Sequence, residues 1–173
     1  INFSSNYSWD FDRSNGISPG AIDFVGVAIH EIGHAMGFVS GVDVVDFVSF
    51  PNGDAAYRGT ELDPYRVFSV LDLYRHGARN GGGLDYATGG TGTNTPYFSL
   101  DGGLTSLGSF ATGQFNGDGR QASHWKDNLG LGIMDPTFAY GELGVVKPLD
   151  IRAFDVIGYD LVVVPEPAAL ALL

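Results

Sequence analysis

The chain has 173 residues, 44% of them hydrophobic and 17% charged, which suits one globular domain with its own core and excludes an intrinsically disordered chain. Nine basic residues against 20 acidic ones give a formal charge of −11. Without a cluster of Lys and Arg to meet phosphates, nucleic acid is not expected as a partner. The absence of cysteine removes disulfides, thiol catalysis and thiolate metal sites together, leaving histidine and carboxylate as metal ligands.

The opening stretch INFSSNYSWDFD alternates, with Ile1, Phe3, Tyr7, Trp9 and Phe11 on one face and Asn2, Ser4, Asn6, Ser8 and Asp10 on the other. Such a period of two predicts a half-buried strand. RSNGISPG then turns the chain, with Ser18 as N-cap and Pro19 as first helical residue. A helix is expected over about 21–36, apolar on nearly all sides as in a domain interior, and closed by Gly37. Around Asp43 and Asp46, GVDVVDFVSF alternates as a strand does. TELDPYRVFSVLDLYRHG is expected to be partly helical, starting near Asp63 and Pro64. Residues 77–119 hold many of the 26 glycines, and this stretch predicts loops and short strands rather than a linker, because the aromatics of PYFSL and LGSF need packing partners. PLDIRAFDVIGYDL returns to helical spacing, with Leu149, Ala153, Val156 and Ile157 on one face and Gly158 at the end.

Chemistry concentrates in HEIGHAMGFVSG, running from His30 to Gly41. On a helix, residues four apart lie nearly above one another, so His30 and His34 can present two imidazoles to one ion. Glu31 is rotated by about 100°, which sets its carboxylate beside such an ion as a base for water. The pattern H-E-x-x-H is thus a zinc mechanism written as a spacing. Candidates for the remaining ligand are His76, His124, Glu61 (a downstream glutamate, as in gluzincins), Asp43 and Asp46. His76, between Arg75 and Arg79, reads as a solvated histidine near a helix C-terminus. Calcium could be cradled by NGDG at 116–119 or DGG at 101–103, although turn chemistry explains both equally well.

HEIGHAMGF resembles the metzincin zinc peptidases, whose third histidine follows the second by six residues. Ser40 occupies that position here, and a serine hydroxyl is a poor zinc ligand. The long-spacer, leishmanolysin-like metzincins are similar instead: SHWKDNLGLGIMDP places His124 before Trp125, with Met134 ten residues on. This resemblance covers about residues 21–38 and 122–160. It implies zinc held by His30, His34 and His124, Glu31 as general base, and Met134 as a floor that packs under the metal without coordinating it. The implied activity is that of an endopeptidase acting on a protein or peptide laid along a sheet edge. The implied fold is α+β, with an active-site helix, an incomplete N-terminal sheet, a long glycine-rich insertion and a C-terminal helix, together forming a catalytic domain over 1–160. Tyr140, after the methionine turn, is a candidate oxyanion stabiliser that no spacing establishes. The chain departs from the family in lacking cysteine. With 29 residues before His30 it also has room for one strand of the sheet metzincins carry there, the others being absent, cut away or supplied by another chain.

Two other functions compete with the peptidase: a non-catalytic envelope or matrix protein with a structural zinc, and a zinc hydrolase of a non-peptide substrate. Retention of Glu31 argues against the first, since a structural site has no use for a base. The final stretch, 161–173, contains VPEPAALALL, which resembles the start of the PEP-CTERM sorting signal of Gram-negative bacteria. That resemblance implies export to the envelope or extracellular space, with transient envelope association through the tail.

Overall fold

The computed structural model describes residues 1–49, 52–64 and 66–162. Among these it is an α+β protein with three α-helices and two small sheets. Strand β1 (Trp9–Asp10) pairs in parallel with β2 (Ile22–Asp23), and helix α1 (Phe24–Ala35) follows at once. Helix α2 (Val42–Val48) comes after a tight turn. Strands β3 (Arg75–His76), β4 (Tyr97–Phe98) and β5 (Gly108–Ser109) form an antiparallel sheet, and helix α3 (Pro148–Val156) closes the fold. The stretch between α2 and α3 is otherwise turns, bridges and short 3-10 segments, as its glycine content predicts.

The long N-terminal strand is corrected to the two residues of β1. A strand persists only where a partner offers backbone groups, and β2 offers two residues. The alternating aromatics serve another purpose: Phe3, Trp9 and Phe11 all pack against Phe24, at ring separations of 4.8, 5.8 and 4.7 Å. Ser18 is not the N-cap of α1. It closes a turn with Ala21, and Asp23 caps the helix, its carboxylate accepting from Gly26 N at 2.9 Å. Helix α1 is not buried on all sides either. Gly26, His30 and Gly33 are buried, whereas Ile32 and Met36 are 49% and 37% exposed. Mean apolarity does not reveal which face a neighbour covers. Gly37 ends the helix as expected: at φ 111°, it donates to His34 O while Phe38 N reaches back to Gly33 O.

The strand expected around Asp43 is a helix, α2. Two aspartates three residues apart share a helical face, whereas a strand would send them to opposite sides. Tertiary bonds to that face override the β preference of its valines. The helix expected from Asp63 shrinks to a 3-10 turn over Leu71–Tyr74, after which β3 begins. His76 therefore is not a solvated loop residue: it is 6% exposed and donates from Nδ1 to Gly82 O at 2.8 Å.

Trp125 is the centre of the core. Its ring stacks on Phe110 at 5.0 Å and meets the edges of Phe38 and Phe98 at 5.0 and 5.8 Å, with Met134, Ile133, Leu71 and Ala153 around them. Large aromatic surfaces buried together supply most of the stabilisation a domain of this size can gather. Because His124 immediately precedes this anchor, fixing Trp125 in the core also fixes where the histidine stands.

Candidate metal centre

Helix α1 carries His30 and His34 one turn apart, and the bend from Ser123 to Trp125 brings His124 against them. The three Nε2 atoms form a nearly regular triangle with sides of 3.1, 3.1 and 3.2 Å. His30, His34 and His124 are close enough to bind a metal ion, and they are the one such group of histidines and carboxylates among the described residues. An ion held at about 2.0–2.1 Å by three imidazoles at tetrahedral angles would set the nitrogens about 3.3–3.4 Å apart, close to these separations.

The other ring nitrogens fix the tautomers. His30 Nδ1 donates to Ile133 O at 2.8 Å, His34 Nδ1 to Phe38 O at 2.7 Å and His124 Nδ1 to Gln121 O at 3.2 Å. With each ring proton spent on a carbonyl, all three Nε2 lone pairs point at one spot, an arrangement that calls for a cation between them. Burial pushes the His124 imidazole down to about 3, helped by His34 and His30 beside it, and burial also lowers His30. Both rings thus stay neutral, the form that ligates.

Met134 packs against helix α1 at Gly33. It is fully buried, and a Cβ on Gly33 would meet its sulfur at 2.6 Å, so only glycine at 33 lets the thioether approach the helix between the two ligands. Trp125 N donates to Met134 O at 3.0 Å, tying the residue after His124 to this turn. From α3, Asp150 holds the turn in place: its carboxylate accepts from Ile133 N at 2.8 Å, Met134 N at 3.4 Å and Trp125 Nε1 at 2.8 Å. Asp150 belongs to none of the motifs that mark the site in the sequence. An aspartate two residues after Pro148, at a helix N-terminus, was the signal available.

Glu31 is half-buried in a groove lined also by Phe3, Tyr7, Trp9 and Val27. No hydrogen bond or ion pair to the described residues occupies its carboxylate. The remaining candidates lie elsewhere. Glu61 is exposed, His76 belongs to the antiparallel sheet, and neither joins the histidine cluster. Asp43 and Asp46 accept hydrogen bonds from the backbone of 122–123 and 115–116. Tyr140 is 61% exposed. At the two turns considered for calcium, Asp118 accepts from Thr112 N and Lys126 Nζ, and Asp101 from Ser99 Oγ and Thr105 N, so both carboxylates brace their own loops. The stretch that carries the tail resemblance, VPEPAALALL at 164–173, lies outside the described residues. Compared with known proteins, the chain matches no family model, no curated protein and no solved structure.

Proposed function

We propose that this chain is a zinc-dependent endopeptidase of the metzincin type, with a leishmanolysin-like spacing between its second and third ligands. The observation that carries the reading is the convergence of three unprotonated Nε2 atoms within 3.2 Å of one another, with Glu31 on the next helical position and unengaged. His30, His34 and His124 would hold the ion, and three protein ligands leave a fourth position open, which separates a catalytic site from a structural one. Zinc held there would supply Lewis acidity, making water easier to deprotonate near neutral pH and polarising a substrate carbonyl. Glu31 would be the general base, taking a proton from the attacking water and returning it to the departing amine. Ile133, Phe38 and Gln121 carbonyls hold the three rings in the tautomer that ligates, and Met134 keeps the floor dry. A protein or peptide is the proposed substrate. Export to the cell envelope or beyond, in a Gram-negative bacterium, is proposed from the Pro-Glu-Pro resemblance of the tail.

The test is zinc content by elemental analysis after dialysis, with casein cleavage measured on the same samples. Wild-type protein and His76→Ala should each keep about one zinc per chain, whereas His124→Ala, short of one ligand, should bind weaker by orders of magnitude and lose activity. Zinc lost from His76→Ala but kept by His124→Ala would overturn the assignment.

A further inference from the structure

Asp43 takes no part in the chemistry just described, yet its bonds end one residue from a ligand. Both its oxygens face the segment before His124: Ala122 N donates to Oδ1 at 2.5 Å, Ser123 N to Oδ2 at 3.2 Å, and the Ser123 hydroxyl makes a short bond to Oδ2. The same hydroxyl accepts from Ser40 N at 2.7 Å, so Ser123 is held from the first turn of α2 and from the turn leading into it. That turn also braces His34, whose Nδ1 donates to Phe38 O. Residues 34–43 therefore carry one ligand themselves and grip the chain where another returns.

His124 depends on this grip more than its partners depend on theirs. Its own ring bond, 3.2 Å to Gln121 O, is longer than the 2.8 and 2.7 Å bonds that orient His30 and His34. His30 and His34 stand on a helix, which fixes their spacing, but His124 comes back after 90 residues of mostly irregular chain. We infer that Asp43 is a positioning residue for the metal centre, clamping Ala122 and Ser123 so that His124 Nε2 completes the triangle; this rests on the metal-centre reading above.

Asp46, one turn further along α2, supplies the control. It is buried where Asp43 is half-buried, and it likewise takes backbone donors, from Phe115 and Asn116, but among the described residues it bonds to no neighbour of a ligand. Zinc affinity of Asp43→Asn and Asp46→Asn should be measured by chelator competition, alongside thermal melting of the metal-free proteins and the visible spectrum of their cobalt forms. Asp43→Asn should bind zinc about 10–100-fold more weakly than wild type, yet show the wild-type cobalt spectrum at saturation, because the ligand set is unchanged. Asp46→Asn should melt lower and keep wild-type affinity. Ser123→Ala, which removes the hydroxyl alone, should weaken zinc by a smaller factor and serves if Asp43→Asn does not fold. Equal affinity in Asp43→Asn and wild type, or equal weakening in both aspartate variants, would overturn the positioning role while leaving the metal centre intact. A wild-type protein that binds neither zinc nor cobalt would overturn the metal-centre reading itself, and this inference with it.

Discussion

Replacing Asp150 by alanine should be among the most damaging single changes outside the ligands. Its side chain is fully buried and serves four donors: Trp125 Nε1 and Ile133 N at 2.8 Å, Lys147 N at 2.7 Å and Met134 N at 3.4 Å. Lys147 is exposed, so water can replace the carboxylate there. Trp125 and Ile133 are 0% and 2% exposed, and their N–H groups would be left without any partner. A buried donor stripped of its acceptor costs about 1–3 kcal/mol, so these two come to about 2–6 kcal/mol. Loss of the acceptor at the N-terminus of α3 adds about 1 kcal/mol. A total of about 3–7 kcal/mol is a large part of the roughly 5–15 kcal/mol that keeps a typical domain folded. Asp150→Asn keeps the shape but turns one acceptor into a donor facing N–H groups, and should fall between wild type and alanine. Urea denaturation of the metal-free proteins, followed by the fluorescence of Trp9 and Trp125, measures this. An Asp150→Ala protein within about 1 kcal/mol of wild type would show that the buried carboxylate is not what holds the Ile133–Met134 turn.

Stability of the metal-free protein should fall with acid in a way that depends on His124. Its folded-state pKa of about 3 lies below the unfolded value of about 6.5, so between those values the unfolded chain binds more protons; the contribution is fully present above about pH 6.5 and is lost as pH drops toward 3. Urea midpoints at pH 7 and pH 5 should differ more in wild type than in His124→Gln, and identical pH slopes would contradict this. Gly33→Ala should push the Met134 sulfur off the helix, since the new methyl would stand 2.6 Å from it, and should weaken zinc binding measured by chelator competition; unchanged affinity would remove Met134 from the support of the site. Zinc at about 100 times its Kd should add roughly 2.7 kcal/mol to unfolding stability in wild type and little in His124→Ala, as urea titration would show.

How much of this was legible in the sequence depends on whether a residue acts through local spacing or through distant partners. His30, Glu31 and His34 sit on one helix, so their relation follows from 3.6 residues per turn. The end of that helix at Gly37 and the closing helix are equally local, and α3 presents Ala153 to the core as its spacing implies. The start of α1 is not legible locally: Ser18-Pro19 is a good cap by composition, whereas Asp23 caps through a side chain also held by Arg13 and by Gly144 N, 121 residues away. The strand expected near Asp43 failed for a similar reason: what makes α2 a helix is the pair of distant loops that Asp43 and Asp46 bind. The charged neighbours of His76 imply a solvated position, but Arg75 turns inward, donating to Ala111 O at 2.9 Å and lying 5.1 Å from the centre of the Phe110 ring. Local charge pattern does not tell whether a strand pairs in the core or runs on the surface.

The measurement that tests the account most directly is the rate of casein cleavage by zinc-loaded Glu31→Gln beside zinc-loaded wild type, at equal metal content. Glutamine keeps the size and polarity of the side chain and none of its basicity, so the two proteins should hold the same zinc while the variant turns over about 10²–10⁴-fold more slowly. Equal turnover in a metal-replete Glu31→Gln protein would contradict the claim that this carboxylate, beside three converging imidazoles, is the base of a zinc peptidase.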